Sequence, residues 1–135
     1  ALTAIKGEVA NGRRTLVTIQ FGHNDMKVTT PAGMGVNLTS IIQQVRAAGG
    51  EPVMVSSLTR RTFNSNGTVQ DPLAPFAAEA ILISQQQKTH LLDLHASSIK
   101  YVEAIGAAAA HRLNLSPSDD THLNPNGATV FGRYL

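Results

Sequence analysis

Apolar positions recur along this chain with two different periods, and the switching between them sets out the fold. Leu2, Ile5 and Val9 fall at i, i+3 and i+7, one face of a helix. Asn11-Gly12 then supplies a stop, since Gly adopts the left-handed conformation at little cost. Residues 15–21, TLVTIQF, alternate, with Val17, Ile19 and Phe21 on one face, which is the period of a strand. Residues 29–36, rich in Thr, Pro and Gly, read as a loop. Asn37 or Thr39 then caps a helix to about Ala48, with Leu38, Ile41, Ile42 and Val45 on its apolar side. Gly49-Gly50 ends it. Residues 52–58, PVMVSSL, form a short apolar run suited to a buried strand, and polar residues 59–70 follow with a turn at Asn66-Gly67.

Asp71-Pro72 sets an N-cap before a first-turn proline and opens a helix to about Lys88. Residues 90–95, HLLDLH, are a third strand. Ser97 or Ser98 caps a long helix through YVEAIGAAAAHRL, in which Gly106 costs about 1 kcal/mol against Ala and marks a point of breakage. A polar loop, residues 114–127, precedes a short terminal helix. Helices and strands therefore alternate, which predicts an α/β fold with a parallel sheet, as one domain over residues 1–135. Three strands are few, because sheets usually have about four to six. Residues 15–21 read as an interior strand without a neighbour, so the pattern leads one to expect further strands upstream. The chain also opens without Met and inside a helix, as a mature form, a cleaved product or an incomplete chain would.

Composition narrows the chemistry. The chain has 135 residues, 42% of them hydrophobic and 15% charged, with a formal net charge of +2. That is the balance of a globular domain rather than a disordered tail. No basic run is dense enough to predict nucleic-acid binding, and no apolar stretch is long enough to predict a membrane span. Without Cys, there is neither a thiolate nucleophile nor a Cys-based zinc site.

Two clusters carry polar chemistry. Gly22-His23-Asn24-Asp25 follows the first strand, and ligands of open parallel sheets gather at the carboxyl ends of strands. Gly22 permits a tight turn, and the Asn24 amide is a donor suited to a developing oxyanion. Ordinary turn chemistry explains the same residues. The second cluster is Ser118-Asp119-Asp120-Thr121-His122-Leu123-Asn124. An Asp accepting from one imidazole nitrogen fixes the tautomer and makes the other nitrogen a general base. A helix cap with an incidental surface His explains it equally.

Taken together, VTIQFGHND, SLTRRTFN and DDTHLNPNG resemble the SGNH (GDSL-type) hydrolases, and within them the rhamnogalacturonan acetylesterases and related carbohydrate deacetylases. The resemblance covers nearly the whole chain. It implies a flavodoxin-like three-layer α/β/α fold and a serine esterase without a cofactor or metal. Its third signature block, Gly-x-Asn-Asp, is matched by Gly22, Asn24 and Asp25, with Asn24 as oxyanion donor. Its last block, Asp-x-x-His, is matched by Asp119 and His122, which complete a triad; Asp120 does not fit the spacing. The first block, Gly-Asp-Ser, and the second, a Gly of the oxyanion hole, have no match. The expectation is therefore the C-terminal portion of an SGNH fold, completed by a Ser from outside this chain, such as an N-terminal fragment. The implied partner is an acetylated polysaccharide or oligosaccharide such as pectic rhamnogalacturonan, with no nucleic acid or membrane involved. The alternative is a catalytically incomplete remnant that binds carbohydrate or protein.

Other candidates carry less. Ser56 and Ser57 lie near the end of the second strand, without a G-x-S-x-G elbow. Asp93 and His95 on one strand face, joined by Asp119 and His122, would make a metal site, but the His spacings are irregular. Gly33-Met34-Gly35 lacks the third glycine of a dinucleotide loop. Arg60-Arg61 is either a solvated pair or a reach toward an anion such as galacturonate. Sequons at Asn37, Asn66 and Asn114, with the family resemblance, favour a secreted protein.

Overall fold

Thr30 and Pro31 open the longest helix of the computed structural model, which describes residues 1–135. The elements in chain order are α1 (Leu2–Ala10), β1 (Leu16–Ile19), α2 (Asp25–Val28), α3 (Pro31–Ala47), β2 (Glu51–Val55), α4 (Ala74–Gln86), β3 (His90–Leu92), α5 (Leu94–Ile105), α6 (Ala107–His111), β4 (Asn114–Ser116), β5 (Asp119–Leu123) and α7 (Pro125–Gly132). The chain divides into two compact units: Ala1–Ser57 with Pro75–Leu92, and Leu58–Ala74 with Asp93–Leu135.

The first unit is α/β. Its sheet is parallel, in the order β1-β2-β3, with Leu16 paired to Glu51 and Val53 to His90. β2 lies in the middle, and its Pro52–Val55 are buried, as a strand flanked on both sides requires. β1 is an edge, with Leu16 55% exposed and Phe21, just beyond it, 48% exposed. α3 presents Met34, Leu38, Ile42 and Val45 to the core at helical spacing, all at or below 3% exposure. Ile5 of α1, Ile19, Met54 and Phe76, Ala80 and Ile83 of α4 complete that cluster. Each such side chain contributes about 1.5–3 kcal/mol by leaving water.

The sequence places the start of α3 too late. Residues 31–36 are helical rather than a loop, because Thr30 accepts a hydrogen bond from the Gly33 amide and Pro31 fills the first helical position. Gly35 lies against the Glu79 side chain, whose carboxylate would have to move aside for a Cβ there. α4 likewise begins at Ala74 rather than at Pro72.

The expected strand 90–95 stops at Leu92, the last residue of the first unit, and Asp93 begins a stretch of the second. Asp93 accepts from the Ala96 amide and caps α5, a role expected of Ser97 or Ser98. Gly106, at φ +79°, ends α5 and separates it from α6. The polar stretch after Leu113 is not simply a loop: β4 and β5 pair antiparallel through Asn114–Leu123 and Ser116–Asp119. Asn124 then caps α7, accepting from the Gly127 amide at 2.9 Å. Tyr101, Phe131 and Tyr134 form an aromatic cluster with centroids 5.8–6.5 Å apart.

Candidate active site

The Asp119–His122 couple is assembled by the backbone of β5. Asp119 Oδ1 accepts from the amides of Thr121 (3.0 Å) and His122 (2.9 Å), which fixes the carboxylate against the backbone of the residues that follow it in the strand. Oδ2 lies 2.8 Å from His122 Nδ1. An ionised carboxylate can only accept, so Nδ1 donates to it and Nε2 is the ring nitrogen turned away from Asp119. The His122 side chain is 72% exposed, and Nε2 is the nitrogen available to a reacting group. The two His122 hydrogen bonds, the backbone one first, hold the Asp119 carboxyl down at about 2. Asp119 is therefore ionised throughout the range in which an imidazole exchanges protons.

The strand bearing this couple is held from both sides. Asn124, immediately beyond β5, donates to the carbonyls of Arg112 (2.7 Å) and Asn114 (3.0 Å). The segment after Leu58 clasps the other side. Arg60 Nη1 donates to Thr121 Oγ1 at 2.6 Å, Thr62 Oγ1 donates to Asp120, and the Arg61 amide donates to the Asp120 carbonyl at 3.0 Å. Arg61 is fully buried, so it is neither a solvated loop residue nor a reach toward a substrate anion. Asp120 belongs to this clasp.

The Gly22-x-Asn24-Asp25 group lies in the first unit. Gly22 is buried with φ +135°, and a Cβ there would sit 2.3 Å from Ser57 Oγ. Its amide donates to Asp25 Oδ2 at 3.1 Å, folding the chain into α2, for which Asn24 is the N-cap position. Asn24 is exposed, and its Oδ1 accepts from Lys27 Nζ at 3.2 Å. That contact turns the amide so that its Nδ2 donor is left for another acceptor. Beside Asp25 lies an open groove of about 360 Å³, lined by Phe21, Met34, Asn37, Leu38, Ile41 and Gln44 among others.

The remaining candidates resolve structurally. Ser56 and Ser57 are fully buried, and the Ser57 hydroxyl donates to the Phe21 carbonyl at 2.9 Å. Asp93 and His95 do not share a strand face: one caps α5 and the other, inside that helix, pairs with Asp71 at 3.0 Å. No three His, Asp or Glu side chains are grouped to hold a metal ion. Gly33 and Gly35 are helical. Of the sequons, Asn114 is 6% exposed and bonded to Arg61, and Asn37 lies within α3; Asn66 alone occupies an exposed turn.

Two features escaped the sequence reading. The β4–β5 hairpin has no alternating apolar face to announce it, although Ser116-Pro117-Ser118 carries turn chemistry. The burial of Arg61 had one signal, the adjacent Asp119-Asp120 pair, which calls for a cation.

Comparison with known proteins bears on the family and the fold. A family model described as GDSL-like Lipase/Acylhydrolase matches residues 2–130. The rhamnogalacturonan acetylesterase RhgT of Bacillus subtilis is 31% identical over 142 residues, covering 94% of this chain and 60% of that protein. A crystal structure of another Bacillus subtilis protein superposes with a TM-score of 0.81 at 24% identity, over 98% of this chain and 38% of that one. An acetylxylan esterase from Geobacillus stearothermophilus does so with a TM-score of 0.68 at 13% identity, over 99% of this chain and 65% of that one. The chain thus spans less than two thirds of the first two relatives.

Proposed function

The chain belongs to the GDSL-like lipase/acylhydrolase family, with the fold of the SGNH hydrolases, and from that premise we propose that it supplies the acid–base half of a serine esterase that deacetylates a carbohydrate. The observation that carries the reading is the Asp119–His122 couple, with its tautomer fixed at 2.8 Å and Nε2 left open. The nucleophilic Ser comes from outside these 135 residues. Supporting that, Ser56 and Ser57 are sealed in the core, and β1 is a sheet edge whose Leu16 and Phe21 are half exposed, the kind of edge another strand would cover.

In this reading, His122 Nε2 takes the Ser proton as the Ser oxygen attacks the acetyl carbonyl. The tetrahedral oxyanion accepts from Asn24 Nδ2, a contribution worth roughly two to three orders of magnitude in rate. As the intermediate collapses, Nε2–H protonates the departing sugar oxygen. Water then repeats the sequence on the acetyl-Ser and releases acetate. Asp119, ionised throughout, stabilises the imidazolium at each passage. No step calls for a metal or cofactor.

The substrate class is an acetylated polysaccharide such as pectic rhamnogalacturonan, supported by the relative's name, and secretion fits a substrate of that size. Acetate release from an acetylated pectic polymer by the full-length protein tests the reading. His122→Ala should lower the rate by about six orders of magnitude; an undiminished rate would reject it. Fluorophosphonate labelling of a Ser within residues 1–135 would reject the external nucleophile. No labelling anywhere in the full-length protein would favour a binding remnant instead.

A further inference from the structure

We infer that Arg61 is the positioning residue of the catalytic couple, holding the backbone of β5 so that Asp119 and His122 stay in register. The inference rests on the proposed role of His122. The guanidinium is fully buried and all three of its nitrogens are engaged. Nη2 donates to the carbonyl of His122 at 2.8 Å, Nε donates to Asn114 Oδ1 on β4, and Nη1 makes a longer contact of 3.4 Å with the Thr59 carbonyl. The main chain of the same residue adds two more contacts. Its amide donates to the Asp120 carbonyl at 3.0 Å, and its carbonyl lies 2.8 Å from His111 Nε2. One residue thus grips β5 at both Asp120 and His122, the residue after the carboxylate and the residue that bears the imidazole.

A buried arginine is poor evidence of a purely stabilising role. An apolar side chain of similar volume often serves stability as well or better. What the guanidinium adds is direction: a rigid planar fork reaches acceptors on two strands at once, which an ammonium on a flexible stem cannot do. The charge is retained at a cost, since burial pushes the Arg61 pKa down while the carboxylates of Asp120 and Asp119 oppose that shift. The bond from Nη2 ends on the carbonyl of the general base itself. A displacement of β5 would therefore carry the imidazole with it, while the Asp119 bonds to the amides of residues 121 and 122 keep the couple hydrogen-bonded in an altered geometry. What changes is where Nε2 points.

The test uses the full-length protein. Arg61→Lys keeps the charge and most of the volume, and should lower kcat about 100-fold with KM changed less than about threefold, because misplacement of about 1 Å costs that much in rate. Arg61→Ala should recover a measurable part of kcat on addition of ethylguanidinium, which a merely loosened fold would not do. The downfield proton on His122 Nδ1, followed by NMR without substrate, should persist in Arg61→Lys with a shifted resonance. Unchanged kcat and an unchanged resonance in Arg61→Lys, or absence of rescue in a folded Arg61→Ala, would overturn the inference. Should His122→Ala retain full activity, the functional reading fails instead, and the His122 resonance still decides whether Arg61 positions the ring.

Discussion

Replacing Gly22 by Ala puts a methyl group where the structure has no room and a backbone where a side chain is strained. The φ of +135° lies in a region that L-residues seldom occupy, at a cost of about 1–3 kcal/mol. The new Cβ would lie 2.3 Å from Ser57 Oγ and 3.6 Å from the Phe76 Cβ. Ser57 cannot swing aside freely, being fully buried and bonded through its hydroxyl to the Phe21 carbonyl. Overpacking of this kind adds about 1–3 kcal/mol, so a loss of about 3 kcal/mol is expected. For a chain of 135 residues that is a fall in Tm of about 10 °C. Thermal unfolding followed by circular dichroism measures it. The double variant Gly22→Ala with Ser57→Ala relieves the collision and leaves the strain, so it should regain part of the loss. A Tm for Gly22→Ala within about 2 °C of the parent would refute the reasoning.

Two further expectations follow from the same structure. Because the folded-state pKa of Asp119 is lowered from 3.8 to about 2, its bonds stabilise the fold above the upper value and are lost as pH falls through that interval. NMR titration should place its midpoint near the lower value, and in His122→Ala the midpoint should rise only part of the way, because the amide of residue 122 still donates. A midpoint unmoved by that substitution would mean that the imidazole bond is absent in solution. Met34→Ala should cost about 2–5 kcal/mol in urea denaturation, since this side chain is wholly buried in the α3 face of the core; a loss under about 1 kcal/mol would contradict that packing.

The fold was legible where burial is one-sided and periodic. α3 announced itself through Leu38, Ile42 and Val45, and β2 through an unbroken apolar run, because both face one core. Capping was harder to read. Thr30 and Pro31 were masked by the glycines that follow them, and Asp93 was read as strand because HLLDLH alternates whether or not a helix begins inside it. The Asp119–His122 spacing was recognisable as chemistry, but the hairpin that carries it was not. Its stability comes from hydrogen bonds to Arg60, Arg61, Thr62 and Asn124, which are distant or polar contacts that leave no periodic trace. Arg61 shows the limit most plainly: two adjacent arginines in a polar stretch look solvated, and one of them is fully buried.

The proposal assigns Asn24 as oxyanion donor and His122 as general base. A crystal structure of the full-length protein bearing a phosphonate on its nucleophilic Ser tests it most directly. The account predicts a phosphonyl oxygen about 2.7–3.1 Å from Asn24 Nδ2 and His122 Nε2 within hydrogen-bonding reach of the Ser oxygen, about 2.6–3.2 Å. A phosphonate held by other donors, with Asn24 or His122 turned away from it, would contradict the account.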